Sequence, residues 1–312
     1  MNLDLSSDEL ALQGSVDRLM KSFMASPTDG AEDWLDGGPI YQRLREAGFL
    51  DVALVEEFGP LGALLVLETV SRSPYAVPAM IDLLVAPMAF TERLDGPIAL
   101  MRQDDRVVRH LPLARTLVVL SPEGADAYAV ADIEFTPVET PFGDAHALAP
   151  RLDRAAGSRL QTTGHSVEAW WRLAVAAEIL GAGRAALGLT LEHVKLRWQF
   201  NRPIGSFQAI QHRLSQCEVE VNALQALARW AAVSQDPRAM AMAAAYGQSI
   251  AERLAFDTQQ FHGASGLTKE SDLHFFTYRL RALGGQLGGA AEQALVAAKV
   301  LWPPARRAGG AS

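Results

Sequence analysis

The sequence predicts a mainly α-helical protein with one small β domain between two helical parts. Apolar residues recur at helical spacing near the N-terminus and again over most of residues 164–304. Between residues 95 and 163, short runs rich in β-branched and aromatic side chains alternate with turn formers instead. A chain of 312 residues with 49% hydrophobic content can bury a substantial core, and its length suggests two or three domains.

The first domain, predicted at residues 1–94, should consist of short helices. Ser6 and Glu9 have the spacing of a capping box at the start of the first helix. A loop rich in serine, proline, aspartate and glycine is expected at Met24–Gly38. Three further helical stretches are predicted from the apolar spacing, at Pro39–Ala47, Leu61–Arg72 and Pro78–Arg93.

The second domain, predicted at residues 95–163, should be a reduced, barrel-like β domain. Its sequence predicts a meander of short strands at Pro97–Leu100, Arg106–Val108, Thr116–Leu120, Ala127–Val130 and Ile133–Val138. A β domain of this size is near the minimum for independent stability, so we expect it to pack against its neighbours.

Residues 164–304 predict a C-terminal four-helix bundle with short connections. A third, alanine-rich helix should start at Asp236–Pro237, and a fourth, weakened by glycines, should span Asp272–Leu301. Residues 305–312 are expected to form a flexible tail. In the second helix one apolar stripe repeats every three or four residues, at Phe207, Ile210, Leu214, Cys217, Val221, Leu224, Ala228 and Ala231.

Composition excludes several classes of function. The net charge of −8 leaves no basic field for a phosphate backbone, so no nucleic-acid partner is expected. Cys217 is the only cysteine and the 7 histidines lack metal-ligand spacing, so neither a disulfide nor a metal site is predicted. The acidic start and the absence of a long uncharged apolar run predict no signal peptide and no membrane span, and therefore a soluble cytoplasmic protein.

Three local patterns imitate functional motifs. Gly181–Ala186 has the G-x-G-x-x-A spacing of a dinucleotide-binding loop, but the residues before it have helical spacing, which favours close packing of helices. His262–Gly266 resembles a nucleophile elbow, yet it follows a helix and lacks the G-x-S-x-G order of a serine hydrolase. Cys217 lies on the apolar stripe, which favours a core residue over a nucleophile.

Two further motifs carry a family resemblance. Arg197–Gln208 reads RWQFNRPIGSFQ and resembles the R-x-Q-F-G-x-P-I-x-x-F-Q motif of the acyl-CoA dehydrogenase family. Gln260–Glu270 reads QFHGASGLTKE and resembles that family's Q-x-x-G-G-x-G-x-T-x-E stretch. Shorter similarities occur at Glu46–Leu50, Val55–Gly59 and Glu68–Arg72. The resemblance covers most of the chain and implies the family's fold, with a helical domain, a β domain and a helical bundle in that order.

The resemblance also implies an FAD site shared across a subunit boundary. An arginine suits a pyrophosphate, an aromatic ring offers an apolar surface, and glutamine amides can donate and accept hydrogen bonds. Asn201 and Ala264 stand where the family has glycines, and asparagine tolerates a positive φ. A surface ion pair is the alternative role for Arg197. By position, the resemblance assigns cofactor contacts to Arg197, Gln199, Phe200, Gln208, Gln260 and Gly263.

The family's reaction, α,β-dehydrogenation of an acyl-CoA thioester, needs a carboxylate base. The two positions at which members carry this base fall on Leu287 and Trp171, and neither side chain can act as one. A weaker catalytic candidate is Glu178, predicted on the same apolar helix face as Trp171, where it could be a base or a structural residue. The middle domain also lacks the family's T-E-P-x-x-G-S-D type of loop.

Three hypotheses follow from these residues. The favoured one is a catalytically incomplete subunit of a heteromeric acyl-CoA dehydrogenase, similar to the α2β2 enzymes that shorten steroid side chains. In such an enzyme a second subunit supplies the base and binds most of the acyl-CoA. The second hypothesis is a self-sufficient homotetrameric dehydrogenase that uses Glu178. The third is a scaffold or assembly protein that has lost FAD, against which the retained Arg197 and Gln208 argue.

Overall fold

The structure, a computed structural model, describes residues 4–23, 34–140, 144–163, 166–269 and 271–302. Within these ranges the protein is mainly α-helical with small β-sheets in the middle of the chain, as the sequence predicts. Three predictions lie outside the described residues: the tail at 305–312, most of the loop at Met24–Gly38, and Glu270 of the second motif.

Helices occupy both ends of the described chain. They are α1 (Ser7–Phe23), α2 (Gly38–Glu46), α3 (Gly59–Val70), α4 (Ala86–Ala89), α5 (Val167–Leu196), α6 (Gln208–Ser234), α7 (Pro237–His262), α8 (Leu273–Gly285) and α9 (Gly289–Leu301). The predicted capping box forms at the start of α1, where the Glu9 N–H donates to Ser6 Oγ at 3.2 Å and the Ser6 N–H donates to Glu9 Oε2 at 2.6 Å.

The helix predicted at Pro78–Arg93 is shorter than expected. It consists of a π-helical turn at Ile81–Val85 followed by the four residues of α4. Pro87 has no N–H to donate, so an unbroken α-helical ladder cannot pass through it. Close to this turn, the short strands β1 (Leu35–Asp36) and β2 (Tyr75–Ala76) pair in parallel.

Helix α5 is the central element of the structure. It packs against α3 of the N-terminal part and against α6, α7 and α8. The main hydrophobic core is continuous across these helices and includes Leu64 of α3, Ile179 of α5 and Leu254 of α7. By length and composition α5 could also cross a membrane, but 78% of its most apolar window is buried inside the protein. An apolar helix covered in this way is typical of a core helix.

Two small sheets form the middle of the chain. The first has the order β3 (Ile98–Arg102), β5 (Thr116–Ser121), β6 (Gly124–Ala129), β9 (Ser158–Arg159), and the second has the order β4 (Val107–Arg109), β8 (His146–Leu148), β7 (Pro137–Val138). The predicted simple meander is wrong, because β4 leaves for the second sheet and β3 then pairs in parallel with β5. The strand predicted at Ile133–Val138 is reduced to its last two residues, since Ile133 and Phe135 pack on the β core outside any strand.

Both faces of the first sheet are covered by hydrophobic packing. Alternate residues point to opposite sides of a strand, so Ala99 and Leu117 join a small β core while Leu100 and Val118 join the main core. The β domain therefore packs against the helical parts, as its small size predicts.

The predicted bundle is present, but its last helix is divided into α8 and α9. Leu287, Gly288 and Gly289 have φ values of 55°, 86° and 76°, which an α-helix cannot accommodate. The side-chain amide of Gln248 on α7 donates to the backbone oxygens of Leu283 and Gln286 at 2.9 and 2.7 Å, which satisfies carbonyls at the end of α8. The predicted glycine-weakened helix is therefore two helices with a left-handed break.

The connection from α6 to α7 is as short as predicted. Gln235 ends α6 with a φ of 52°, and the Asp236 carboxylate then accepts the Arg238 N–H at 2.9 Å as the N-cap of α7. The predicted apolar stripe on α6 is also present, because the stripe residues between Leu214 and Ala231 are buried in the main core.

Candidate functional site

The chain between α5 and α6 forms a short hairpin of β10 (Trp198–Gln199) and β11 (Arg202–Pro203). Its two-residue turn is Phe200–Asn201, with φ values of 52° and 62°. Positive φ at both central positions is the mark of a type I′ turn, in which asparagine is well tolerated. Asn201 therefore adopts a positive φ, which asparagine tolerates better than most residues.

The predicted cofactor residues of this first motif lie on the surface of the chain. Arg197, Gln199, Phe200 and Gln208 are all exposed, and Phe200 is 86% exposed. Arg197 forms no ion pair or side-chain hydrogen bond with any described residue. The alternative role, a surface ion pair within the chain, is therefore not supported by the described residues. An unpaired guanidinium and an exposed aromatic ring on one hairpin are typical of a surface that another molecule covers.

The second motif lies at the C-terminal end of α7. The Gln260 side chain is exposed, and Gly263 ends the helix with a φ of 62° and a ψ of −135°. This backbone conformation is open to glycine and strained for other residues. Gly263 is therefore required by the helix end itself, in addition to the close approach of a cofactor that the resemblance implies.

Two contacts bring the motifs together. The imidazole rings of His193 and His262 stack with their centroids 4.2 Å apart and an interplanar angle of 16°. On the neighbouring helix, the Arg213 guanidinium lies 5.0 Å from the centre of the Phe261 ring. His193 precedes Arg197 by one helical turn and His262 precedes Gly263, so the two candidate cofactor segments are neighbours in the fold.

The chemistry of these residues fits FAD. The guanidinium of Arg197 can bind a diphosphate, and the exposed ring of Phe200 offers an apolar face. The side-chain amides of Gln199, Gln208 and Gln260 are exposed and lack hydrogen-bond partners among the described residues, so they remain available to a ligand.

The two family base positions lie on the wall of one cavity. This cavity of about 400 Å³ lies between the first strands of the β domain and the break between α8 and α9, and both Trp171 and Leu287 line it. The two residues come from distant parts of the sequence, yet they face the same space. Neither side chain can take up a proton.

Asp105 is the one carboxylate among the described residues that line this cavity. Its Oδ2 accepts the backbone N–H of Arg102 at 2.8 Å and so closes the turn between β3 and β4. The sequence does not indicate Asp105, or Arg109, His110 and His146 on the polar side of the cavity, because none of them belongs to a recognisable motif.

Glu178 lies outside the residues that line the cavity. Its side chain is 3% exposed, and its carboxylate forms an ion pair with Arg109 of β4. Arg109 pairs on its other side with Asp144, whose second oxygen lies 2.6 Å from His110 Nε2. The expectation of a carboxylate on a purely apolar helix face is therefore wrong, because a strand distant in sequence brings an arginine to it.

Asp144 and Arg109 of this buried network are held in their ionised forms. Burial would raise the pKa of Asp144, but the Arg109 guanidinium and the hydrogen-bonded imidazole of His110 hold that pKa well below its usual range. Burial likewise opposes the charge of Arg109, while Asp144 and Glu178 raise the pKa of its guanidinium. A network of paired charges of this kind favours a structural role for Glu178 over proton transfer.

The patterns that imitate other motifs have structural roles. A Cβ added at Gly181 would lie 2.4 Å from the backbone oxygen of Glu68, which confirms close packing of α5 on α3. Cys217 is buried in the main core, and burial raises the pKa of its thiol. His262–Gly266 is the end of α7 and a 3-10 turn, so it forms no nucleophile elbow. In the described part of the chain no His, Cys, Asp and Glu side chains cluster as a metal site.

Comparison with known proteins agrees with the two motifs. Residues 168–299 match the family described as acyl-CoA dehydrogenase, C-terminal domain. FadE34 of Mycobacterium tuberculosis, named an acyl-CoA dehydrogenase, is 37% identical over 138 residues, which is 42% of this chain and 19% of FadE34. The matched segment thus spans about a fifth of the length of that relative. Both motifs fall within the family match, which confirms the resemblance.

Solved structures share the fold over nearly the whole chain. A chain of the ChsE4–ChsE5 complex from Mycobacterium tuberculosis superimposes with a TM-score of 0.75 at 22% identity, covering 98% of this chain and 100% of that one. A chain of the Tcur3481–Tcur3483 steroid ACAD gives a TM-score of 0.72 at 22% identity, covering 94% and 97% of the two chains. The shared fold therefore includes the N-terminal helices and the β domain, which the family match does not reach.

Proposed function

We propose that this chain is a subunit of a flavin-dependent acyl-CoA dehydrogenase, because its C-terminal bundle matches the acyl-CoA dehydrogenase C-terminal domain and the whole chain shares its fold with a steroid ACAD. In the proposed enzyme this subunit contributes to an FAD site across an interface and a second subunit supplies the catalytic base, most simply in an α2β2 assembly. We place the enzyme in the cytoplasm.

The cavity lined by Trp171 and Leu287 is the observation that carries this proposal. In α,β-dehydrogenation a carboxylate removes the α-proton of the thioester, and FAD supplies the hydride acceptor for the β-hydrogen. Here both base positions carry side chains that cannot accept the proton. The Asp105 carboxylate already accepts the Arg102 N–H in the turn between β3 and β4. We infer that the carboxylate base comes from elsewhere in the assembly, together with most of the acyl-CoA site.

The candidate cofactor residues support the other half of the proposal. Arg197, Phe200 and Gln260 are exposed, and the side chains of Arg197 and Gln260 have no hydrogen-bond partner among the described residues, as expected for groups that bind FAD at a subunit boundary. Steroid side chains are the proposed acyl class. That choice is supported by the fold shared with the Tcur3481–Tcur3483 protein, which is described as a steroid ACAD.

The other hypotheses receive less support from the contacts. A homotetramer using Glu178 would require a carboxylate that is free to accept a proton, whereas Glu178 is paired with Arg109. A scaffold without FAD would have no use for an unpaired Arg197 on an exposed hairpin.

The test compares the visible absorbance of the full chain purified alone with that of the chain co-purified with candidate partner dehydrogenase subunits. We expect little or no flavin on the lone chain, and both flavin and acyl-CoA oxidation in the co-purified complex. A lone chain that carries a full complement of FAD and oxidises acyl-CoA would contradict the proposal.

A matched pair of variants tests the cofactor site. Arg197→Gln removes the guanidinium assigned to the diphosphate and should weaken FAD binding about tenfold or more, since a charge-assisted hydrogen bond contributes about 1.5–3 kcal/mol. Lys195→Gln removes a nearby exposed charge that pairs with Glu192, and it should leave FAD binding unchanged. Equal effects of the two variants would show that only general surface charge matters.

A further inference from the structure

The cavity lined by Trp171 and Leu287 has no assigned ligand in the proposed enzyme, because the partner subunit binds most of the acyl-CoA. Its volume is about 400 Å³, and Ile81, Leu100 and Val107 extend its apolar wall. A cavity of this size, with a mainly apolar wall and a few polar groups, is typical of a small-molecule site. The polar groups then decide which molecule it accepts.

His110, on the polar side of this cavity, is oriented by a buried carboxylate. Its Nε2 lies 2.6 Å from Asp144 Oδ1. Because Asp144 is ionised, its oxygen can only accept a hydrogen bond, so Nε2 of the imidazole carries the hydrogen. The pairing therefore fixes which ring nitrogen is the donor and leaves Nδ1 as the other one.

The charges around the imidazole balance without a second proton on the ring. They belong to two guanidinium groups and two carboxylates, of Arg109, Arg279, Asp144 and Glu178. Burial lowers the pKa of the neighbouring His146, so that ring adds no charge at neutral pH. With the neutral His110 ring the buried network has no net charge, and Nδ1 carries a lone pair.

The backbone also holds the His110 ring in place. The residue has a φ of 62° and a ψ of 5°, a left-handed conformation that histidine adopts more readily than most side chains. Its N–H donates to the Ala145 oxygen at 2.7 Å, and its own oxygen accepts the Leu113 N–H at 3.0 Å. Side chains held on a backbone of this kind cluster at ligand sites.

Nδ1 of His110 is available to a ligand. It forms no hydrogen bond with any described residue, and it is not sealed from water. Nε2 of His274, by contrast, is both unpaired and inaccessible. A lone pair at the wall of an apolar cavity requires a hydrogen-bond donor, which neither an ether nor a carboxylate can supply.

The other charges on the wall do not favour an anion. Asp105 and Arg281 line the cavity with opposite charges, and Arg109 is neutralised by Asp144 and Glu178. The described wall therefore has no net positive charge with which to bind a carboxylate, whereas a neutral donor suits Nδ1.

We propose that this cavity is a ligand site separate from the FAD site, in which an apolar molecule with a hydroxyl group binds and donates its hydrogen bond to His110 Nδ1. Trp171 and Leu287 contact the apolar body of the ligand. Asp144 is a positioning residue, because it acts on the ligand only through the imidazole.

The test compares three probes that share a naphthalene body. Calorimetry measures their dissociation constants for the full chain, alone and in its co-purified complex. The hydroxyl of 2-naphthol can donate, whereas 2-methoxynaphthalene can only accept and 2-naphthoate is an anion. We expect 2-naphthol to bind about tenfold more tightly than either of the others, because only its hydrogen satisfies Nδ1. Equal binding of 2-naphthol and 2-methoxynaphthalene would overturn the proposal, as would tightest binding of 2-naphthoate.

Two variants test the roles of the pair. His110→Asn suits the left-handed backbone and removes the ring nitrogen, so it should abolish the preference for 2-naphthol. In Asp144→Asn the amide oxygen stays with Arg109 and the amide nitrogen donates to Nε2, which moves the ring hydrogen to Nδ1. The preference should then reverse in favour of 2-methoxynaphthalene. A merely structural role of Asp144 would weaken both probes equally.

His212→Asn is the matched control, because it removes an exposed imidazole outside the cavity. This variant should bind all three probes as the wild type does, and thermal unfolding establishes that each variant is folded. A wild-type chain that binds none of the probes, or a His110→Asn chain that still prefers 2-naphthol, would overturn the inference. None of these measurements involves FAD or acyl-CoA, so either result would leave the proposed function in place.

Discussion

Glu178 of α5 and Arg109 of β4 form a buried ion pair that fastens the β domain to the central helix. Their side chains are 3% and 10% exposed, and Arg109 pairs in addition with Asp144. One guanidinium thus connects two carboxylates from separate parts of the chain. The position of β4 against α5 depends on this arrangement, which shapes one wall of the cavity described above.

The first prediction is that Glu178→Gln destabilises the protein without affecting chemistry. Removing one partner of a buried pair leaves the other charge uncompensated, so the free energy of unfolding should fall by about 3 kcal/mol in a denaturant titration. Acyl-CoA turnover per FAD-loaded complex should stay at the wild-type value. Glu218→Gln breaks a more exposed pair with Arg184 and should lower stability by less than about 1 kcal/mol. A stable but inactive Glu178→Gln complex would identify Glu178 as the base.

The second prediction concerns Asp82 in the π-helical turn. Its carboxyl group accepts the Tyr41 hydroxyl at 2.7 Å and the Ile98 N–H at 3.0 Å. Burial raises the pKa of Asp82 from 3.8 to about 7, even though the hydrogen bond from Tyr41 acts in the opposite direction. The folded chain therefore keeps a proton that the unfolded chain loses between about pH 4 and pH 7. The stability that this proton contributes is fully present below pH 4 and is lost as the pH rises through 7.

Asp82→Asn removes that pH dependence, because an amide does not titrate. The free energy of unfolding of the variant minus that of the wild type should rise by up to about 4 kcal/mol from pH 4.5 to pH 7.5. Denaturant unfolding at the two pH values measures this change. Asp104→Asn, at an exposed position, controls for the loss of one surface carboxylate. A stability difference between Asp82→Asn and the wild type that stays constant with pH would contradict the protonated carboxyl.

The third prediction compares two glycines of α5. A Cβ at Gly181 would lie 2.4 Å from the Glu68 backbone oxygen and 2.6 Å from Ser71 Cβ, whereas a Cβ at Gly188 would meet nothing within 4 Å. Gly181→Ala should lower the free energy of unfolding by about 1–3 kcal/mol through overpacking. Gly188→Ala should raise it by about 0.5–1 kcal/mol, since alanine is the better helix former. Effects of the same sign would contradict the close approach of α3 and α5.

The fourth prediction concerns the hairpin turn. Asn201 has a φ of 62°, a conformation that glycine adopts freely and a β-branched residue does not. Asn201→Val should therefore distort the hairpin at a cost of about 1–2 kcal/mol and weaken FAD binding by about tenfold, while Asn201→Gly should bind FAD as the wild type does. The dissociation constants of the two variants provide the measurement, and equal values would separate the turn from the cofactor site.

The features that the sequence predicts well are local. The stripe from Leu214 to Ala231 could be recognised because one buried face repeats with the period of a helix. The capping box of Ser6 and Glu9 and the turn at Asn201 also follow from the backbone preferences of a few adjacent residues. The candidate cofactor residues could be predicted from the sequence for the same reason, because each motif is a contiguous run of residues.

Contacts between distant segments could not be derived in this way. Nothing near Glu178 in the sequence indicates Arg109, because their pairing depends on where β4 lies against α5. The parallel pairing of β3 with β5 depends likewise on the departure of β4 to another sheet. The break between α8 and α9 depends on the left-handed conformation of Leu287. Leucine rarely adopts this conformation, and the neighbouring residues do not predict it.

Trp198 in the hairpin is 60% exposed, whereas Trp170 and Trp171 of α5 are buried. An indole in water emits at longer wavelength than one enclosed in protein, so Trp198, next to Arg197, contributes to the long-wavelength emission together with the exposed Trp302. Docking of a partner subunit or quenching by a flavin would change that emission without any added label. Comparison with Trp198→Phe would isolate the signal, and the assembly could then be followed in real time as it forms.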